Sequence, residues 1–123
     1  MLSYATIGVN NLEKSEAFYN ELLAPMGAKT LFKMDRIIFM GKSMKAPMLA
    51  ICIPFNKEQQ SSGNGNMVAI AMDSKEQVDE MYKKAIALGA SCEGAPGQRI
   101  PNVFYGAYFR DVDGNKLAFS YFG

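Results

Sequence analysis

The sequence predicts an α+β fold built from two tandem βαβββ units, and three observations predict it. A strand-then-helix pattern that opens at Tyr4 restarts at Met67: Ile7 and Ile70, Asn10 and Asp73, Glu13 and Glu76, and Tyr19 and Tyr82 all keep an offset of 63 residues. Helix stops and a late apolar triplet also recur, Gly27-Ala28 against Gly89-Ala90 and Leu49-Ala50-Ile51 against Leu117-Ala118-Phe119. Between the halves lies a polar stretch rich in turn formers. It gives repeat units of about 1–55 and 66–123, a linker over 56–65, and one domain spanning 1–123.

In the first unit, Tyr4-Ala5-Thr6-Ile7-Gly8-Val9 alternates as a half-buried strand, with Ala5, Ile7 and Val9 on one face. Asn10 is the expected helix cap, with Glu13 three residues on. Phe18, Tyr19, Leu22 and Leu23 then sit at helical spacing, and Pro25 and Gly27 stop the helix. Three strands follow near Ala28–Lys33, Arg36–Gly41 and Met48–Pro54. The linker reads as a plain crossover or as a lid over a site.

In the second unit, Met67–Met72 is a strand, Asp73 the expected cap, and Val78, Met81, Tyr82 and Ala85 mark a helix face. Ser91–Asn102, with two prolines and two glycines, reads as irregular, holding one short edge strand and a loop. Phe104–Phe122 reads as a hairpin whose turn carries Asp111-Val112-Asp113-Gly114-Asn115. Asp and Asn bond locally to turn backbone, and Gly supplies positive φ. Asp111 and Asp113 are close enough for paired-carboxylate chemistry, although the turn accounts for both.

This hairpin resembles the closing hairpin of the vicinal oxygen chelate superfamily, which contains glyoxalase I, extradiol dioxygenases, fosfomycin resistance enzymes and bleomycin resistance proteins. There the turn commonly reads Arg-Asp-Pro-Asp-Gly-Asn and a metal-binding Glu follows; here Arg110-Asp111-Val112-Asp113-Gly114-Asn115 is followed by Ala118. The resemblance runs the length of the chain. It implies a curved mixed sheet with a concave trough, and two metal ligands from each unit, on its first and last strands. The matching positions are Tyr4, Ala50, Met67 and Ala118. Alanine has no donor atom, and methionine sulfur suits soft ions. A one-residue slip brings in Ser3 or Ala5, Leu49 or Ile51, Asn66 or Val68, and Leu117 or Phe119, none of them a carboxylate or imidazole. No metal and no cofactor are therefore expected. The small residues at 50 and 118 are expected to leave room where a metal and its waters would sit.

The same face is expected to carry the ligand-binding residues: Tyr4, Thr6, Ala50 and Cys52 from the first unit, and Met67 and Ala69 from the start of the second. Phe104, Tyr108, Ala118 and Ser120 complete the set from the hairpin, making an apolar, aromatic surface with a few hydroxyls and no charge from its strands. Tyr108 reads equally as a ligand contact, as a Tyr does in the resembled fosfomycin resistance enzymes, or as an aromatic filling space. Arg36, Arg99 and Arg110 are candidate cations at the rim, although such residues are more often solvated surface. Cys52 reads as a small buried hydrophobe rather than a nucleophile, since no histidine exists to activate it.

Composition narrows the function classes. With 123 residues, 49% hydrophobic and 20% charged, the chain is long enough for a real core. Thirteen basic residues against twelve acidic ones leave +1, without the basic stripe that nucleic acid or an anionic membrane would require. No apolar run approaches a membrane span, and the N-terminus lacks the pattern of a signal peptide, so a cytoplasmic protein is expected. Cys52 and Cys92 are too few for a disulfide framework. The expected function is a metal-independent, bleomycin resistance-like protein that binds an apolar or aromatic small molecule, and the resemblance implies a homodimer. The alternatives are a glyoxalase-like lyase or dioxygenase-type enzyme, with a noncanonical metal or none, and a metal-free isomerase or lyase using Tyr4 or Tyr108 as acid.

Overall fold

A computed structural model describes residues 1–123. The chain divides into two units, Met1–Ser62 and Gly63–Gly123, and the division falls inside the polar stretch. In the first, β1 (Tyr4–Gly8), α1 (Leu12–Leu23), β2 (Lys29–Lys33), β3 (Ile37–Gly41) and β4 (Met48–Cys52) follow in order. The second contains β5 (Val68–Ala71), α2 (Lys75–Ala87), β6 (Ser91–Ile100), β7 (Phe104–Arg110) and β8 (Lys116–Tyr121). Both are βαβββ units. Hydrogen bonding makes one four-stranded mixed sheet in each, ordered β1-β4-β3-β2 and β5-β8-β7-β6. In each sheet the strand before the helix pairs in parallel with the last strand, and the other pairs are antiparallel.

Asn11, not Asn10, caps α1, its side chain accepting from the Lys14 amide at 3.0 Å. Ser74, not Asp73, caps α2, accepting from the Gln77 amide at 3.1 Å. The two corrections are the same one-residue shift, so the 63-residue offset survives. Both positions offer two adjacent capping residues, and the one that starts in extended backbone takes the role. After α1 a single 3₁₀ turn, Ala24–Met26, ends at Gly27 with φ +78°, where glycine is free of the Cβ penalty.

Each helix covers one face of its own sheet. In the first unit Tyr19, Leu22 and Leu23 are buried with Ile7, Ile38, Met40, Leu49 and Ile51. In the second, Val78, Met81 and Ala85 are buried with Ala107, Phe109, Leu117 and Phe119. The hairpin pairs Phe109 with Leu117 and Tyr108 with Ala118, as its alternation predicts. Tyr105 donates to Asp79 of α2 at 2.7 Å, which marks odd-numbered β7 residues as the helix side. That bond to a carboxylate holds the Tyr105 hydroxyl above its ordinary pKa.

The stretch 91–102 corrects the expectation of an irregular segment. β6 is ten residues long and pairs with β7 throughout, the register shifting between Cys92 and Gly94, Gly94 and Gly97, and Gln98 and Ile100. Its glycines and Pro96 are accommodated as bulges on an edge strand, where an absent N–H costs no central ladder bond.

A polar clip ties α1 to β2. Thr30 donates through its hydroxyl to Glu16 Oε2 at 2.7 Å, Lys33 Nζ donates to Glu16 Oε1 at 3.0 Å, and the Asn20 side chain closes on Thr30. The Thr30 bond, aided by Lys33 and opposed by burial, holds the Glu16 carboxyl below its ordinary value of 4.5. A depressed folded pKa stabilises the fold above the unfolded value, and that contribution is lost as pH falls through the folded one. Glu16→Gln is therefore expected to cost about 1 kcal/mol at neutral pH, with the gap from wild type closing below about pH 4. Urea titrations at the two pH values check it; an unchanged gap in acid would show that the charge contributes nothing.

Neither helix is long and apolar enough to cross a membrane.

Candidate functional site

The face of each sheet opposite its helix gathers most of the expected site residues. In the first unit it carries Tyr4, Thr6 and Gly8 from β1 beside Met48, Ala50 and Cys52 from β4, in parallel register. Phe39 pairs with Ala50 from the other side. The rings of Tyr4 and Phe39 meet edge-on at 4.9 Å, although β1 and β3 flank β4 from opposite sides. They close over β4, and Ala50 beneath them has no exposed surface. The room expected above Ala50 is thus filled by aromatic side chains, which a larger residue there would separate.

Phe32 stacks on Phe39 with centroids 4.4 Å apart and planes 14° from parallel. A register shift between Thr30 and Phe32 turns Phe32 to this face, while Thr30 stays on the helix side. The result is a three-ring cluster of Tyr4, Phe39 and Phe32. The linker also reaches this face. A Cβ on Gly8 would come within 3.1 Å of Gln60 Cβ, so glycine there lets the linker rest against the end of β1.

In the second unit Ala69 pairs with Ala118 and Ala118 with Tyr108, so all three share the face away from α2. Ser120 pairs with Gly106 on the same side. Ala118 and Ser120 are buried, and Ala69 is exposed. Met67 lies just ahead of β5, outside the strand and exposed. Two glycines shape the surface. A Cβ on Gly106 would lie 2.8 Å from the Phe104 ring, and one on Gly94 would lie 2.9 Å from the Tyr108 ring. Both rings therefore lie down along the sheet. Phe104 also meets Phe122 edge-on at 5.1 Å.

The expectation of an uncharged surface is corrected here. Lys116 Nζ stands 5.4 Å from the centre of the Tyr108 ring, and the Arg99 guanidinium 5.3 Å from it. Lys116 shares strand and parity with Ala118 and Ser120, so alternation alone could have found it. Arg99 reaches Tyr108 only because β6 is bulged. Of the other rim candidates, Arg110 binds the Glu93 carboxylate and the Gly114 carbonyl, and Arg36 donates to the Ile53 carbonyl and stacks over Phe55. Arg110 holds the Glu93 carboxyl below its ordinary pKa.

Asp111 and Asp113 do not form a paired-carboxylate centre. Asp111 is buried and organises the turn, its Oδ1 accepting from the Asp113 and Asn115 amides at 2.9 Å and its Oδ2 from the Asn115 side chain at 3.1 Å.

The donor set does not fit the divalent metal that the resemblance brings with it. Ala50 and Ala118 have no donor atoms, the chain has no histidine, and no three Cys, Asp or Glu side chains converge to hold an ion. Such ions require imidazole, carboxylate or thiolate donors gathered in one place.

Two βαβββ units, each with a helix on one sheet face and aromatic rings on the other, define a glyoxalase-type protein. Residues 1–119 match the family model described as Glyoxalase/Bleomycin resistance protein/Dioxygenase superfamily, and the chain belongs to that family. Among solved structures it is similar to a glyoxalase/bleomycin resistance protein from Albidiferax ferrireducens T118, at 35% identity and a TM-score of 0.87, covering 98% of each chain. It also resembles a lactoylglutathione lyase from Agrobacterium tumefaciens (21% identity, TM-score 0.72). A genomically encoded fosfomycin resistance protein, FosX, from Listeria monocytogenes is comparable (21% identity, TM-score 0.73). Each of those two comparisons covers 98% of this chain and 92% of the other, and at such identity shows a shared fold. A search of the curated proteins returns no match.

Proposed function

We propose that this member of the family is a metal-independent small-molecule binding protein, with 1–123 acting as one domain. The observation that carries the reading is the pair Ala50 and Ala118. Each is a residue without donor atoms, on the last strand of its unit, at a position where the resemblance puts a metal ligand. A lyase or dioxygenase of this family uses its metal as a Lewis acid, and fold alone does not confer that chemistry. The aromatic face suits an apolar or aromatic ligand instead. Surface removed from water contributes about 25 cal/mol per Å² before the costs of association, and a polar group on the face concerned, the Tyr4 hydroxyl in the first unit or the Tyr108 hydroxyl in the second, would orient a molecule bound there.

Elemental analysis of untagged protein, followed by titration with Zn, Ni, Mn and Fe, tests the reading. No stoichiometric ion is expected, while a thermal-shift screen of aromatic metabolites and antibiotics should return stabilising compounds. One tightly held ion per chain, lost on changing residues beside Ala118, would refute it.

The protein is also proposed to work as a twofold homodimer in the cytoplasm. Each sheet ends on two edge strands, β1 and β2 in the first unit and β5 and β6 in the second, and open edges invite pairing. Both cysteines are free thiols, which suits a reducing compartment. Sedimentation equilibrium should give twice the 13.5 kDa chain mass; monomer alone at tens of micromolar would contradict the dimer.

A further inference from the structure

We infer that Arg99 and Lys116, set about the ring of Tyr108, recognise the oxyanion group of a small ligand, a carboxylate or phosphate carried on a planar apolar body. The inference rests on the small-molecule reading above and names the chemistry of what is bound. Both cations lie within the distance at which a ring attracts a positive charge. Neither forms a close ion pair within the protein, and Arg99 acts only at longer range on Tyr105, whose hydroxyl holds Asp79. The chain's two ion pairs join Lys33 to Glu16 and Arg110 to Glu93, so the acid on this part of β6 is already engaged, and Lys116 feels Glu93 only at longer range. Arg99 donates to the Ala95 carbonyl, which anchors one end of its guanidinium and leaves further N–H groups for an acceptor.

The backbone is shaped for this arrangement. Positions where a Cβ would stand on Gly94 and Gly97 lie 3.3 and 3.5 Å from the Arg99 guanidinium nitrogens, and Tyr108 lies closer still to the one on Gly94, at 2.9 Å. A side chain at Gly94 would force the ring or the guanidinium to shift, while the Cβ position on Gly97 is in ordinary contact with the guanidinium. Lys116 is only partly exposed, so its charge lies where solvent screens it less than on an open surface. The first unit carries no counterpart, since Met48 and Phe39 stand where the second has Lys116 and Tyr108. Two like charges near one ring favour an anion over a neutral ligand, and a carboxylate or phosphate seated beside Tyr108 can accept charge-assisted hydrogen bonds from them.

The test is an NMR titration of ¹⁵N-labelled protein with phenyl phosphate, benzoate and phenol, on wild type, Arg99→Gln, Lys116→Gln and Lys84→Gln. Lys84, in the last turn of α2, is the control cation on the helix. Phenyl phosphate or benzoate is expected to shift the amides of Gly94, Gly97, Tyr108 and Lys116, and their relative affinities tell which oxyanion is preferred. Arg99→Gln and Lys116→Gln should each weaken the preferred anion about tenfold, Lys84→Gln should leave it unchanged, and added salt should weaken it further. Phenol should be indifferent to all three substitutions. Anion affinity unchanged in Arg99→Gln and Lys116→Gln, or shifts confined elsewhere, would overturn the inference. Phenol binding on this face with no preference for anions would overturn it too, yet leave the small-molecule reading standing. No shift with any probe would remove both.

Discussion

Phe119→Ala is expected to cost about 3–5 kcal/mol, a large share of the 5–15 kcal/mol that holds a typical domain folded. Phe119 has no exposed surface, sits mid-strand on the helix side of β8, and packs against Phe109 with ring centroids 5.1 Å apart. Its neighbours in the ladder are Ala107 and Ile70. Truncation removes the transfer energy of a whole ring and leaves a cavity that the central strand of a paired sheet cannot collapse to fill. Phe122 is the internal comparison, since it lies three residues further on and is 75% exposed. Phe122→Ala should cost under about 1 kcal/mol, mostly the edge contact with Phe104. Urea unfolding of both variants decides the matter. A smaller loss for Phe119→Ala than for Phe122→Ala would mean that the second unit does not close on α2 as described.

Asp111→Ala should be the next most damaging change, at about 3 kcal/mol. Its carboxylate accepts from two backbone amides and from the Asn115 side chain inside a turn where Asp111 and Asn115 are both buried. Removing it leaves three donors without that acceptor, and a buried donor without a partner costs about 1–3 kcal/mol. Asp111→Asn keeps one oxygen, enough for the two amides, and should recover at least half of the loss. Thermal unfolding of the two variants, with amide exchange along β7 and β8, reads the effect. Equal losses for Ala and Asn would show that charge, not hydrogen bonding, holds the turn.

Most of the architecture could be read before any coordinates, because each element is specified twice. The alternation through Leu117, Phe119 and Tyr121 and the helical spacing of Val78, Met81 and Ala85 need only periodicity, and the 63-residue offset checks one unit against the other. Choices between adjacent residues of equal chemistry were not legible: Asn10 or Asn11, Asp73 or Ser74. Gly94, Pro96 and Gly97 read as breakers, since a strand that absorbs them does so through bulges, and a bulge exists only once its partner strand is in place. The surprises on the candidate faces other than Lys116 follow from that. The bulge in β2 turns Phe32 onto Phe39, and those in β6 bring Arg99 to Tyr108. Lys116 is the exception. Its parity with Ala118 was visible in the sequence, and the reading of β8 as an uncharged floor passed over it.

The parallel closing pair in each unit bears on the order in which the chain acquires structure. Tyr4 finds its partner at Met48, and Val68 finds its own at Leu117, so the opening strand of each unit waits for a helix and three further strands to be made. The β3–β4 and β7–β8 hairpins join neighbours in sequence, and such local closures form in microseconds. Distant pairings come later, because loop-closure entropy is spent before the contacts that offset it exist. On the ribosome, β1 emerges ahead of its partner and is left with an unsatisfied edge until Cys52 has cleared the exit. Pulse-labelled amide exchange during refolding should therefore protect β7 and β8 ahead of β5, and β3 and β4 ahead of β1, so that the residues met first in reading the chain are among the last to become ordered.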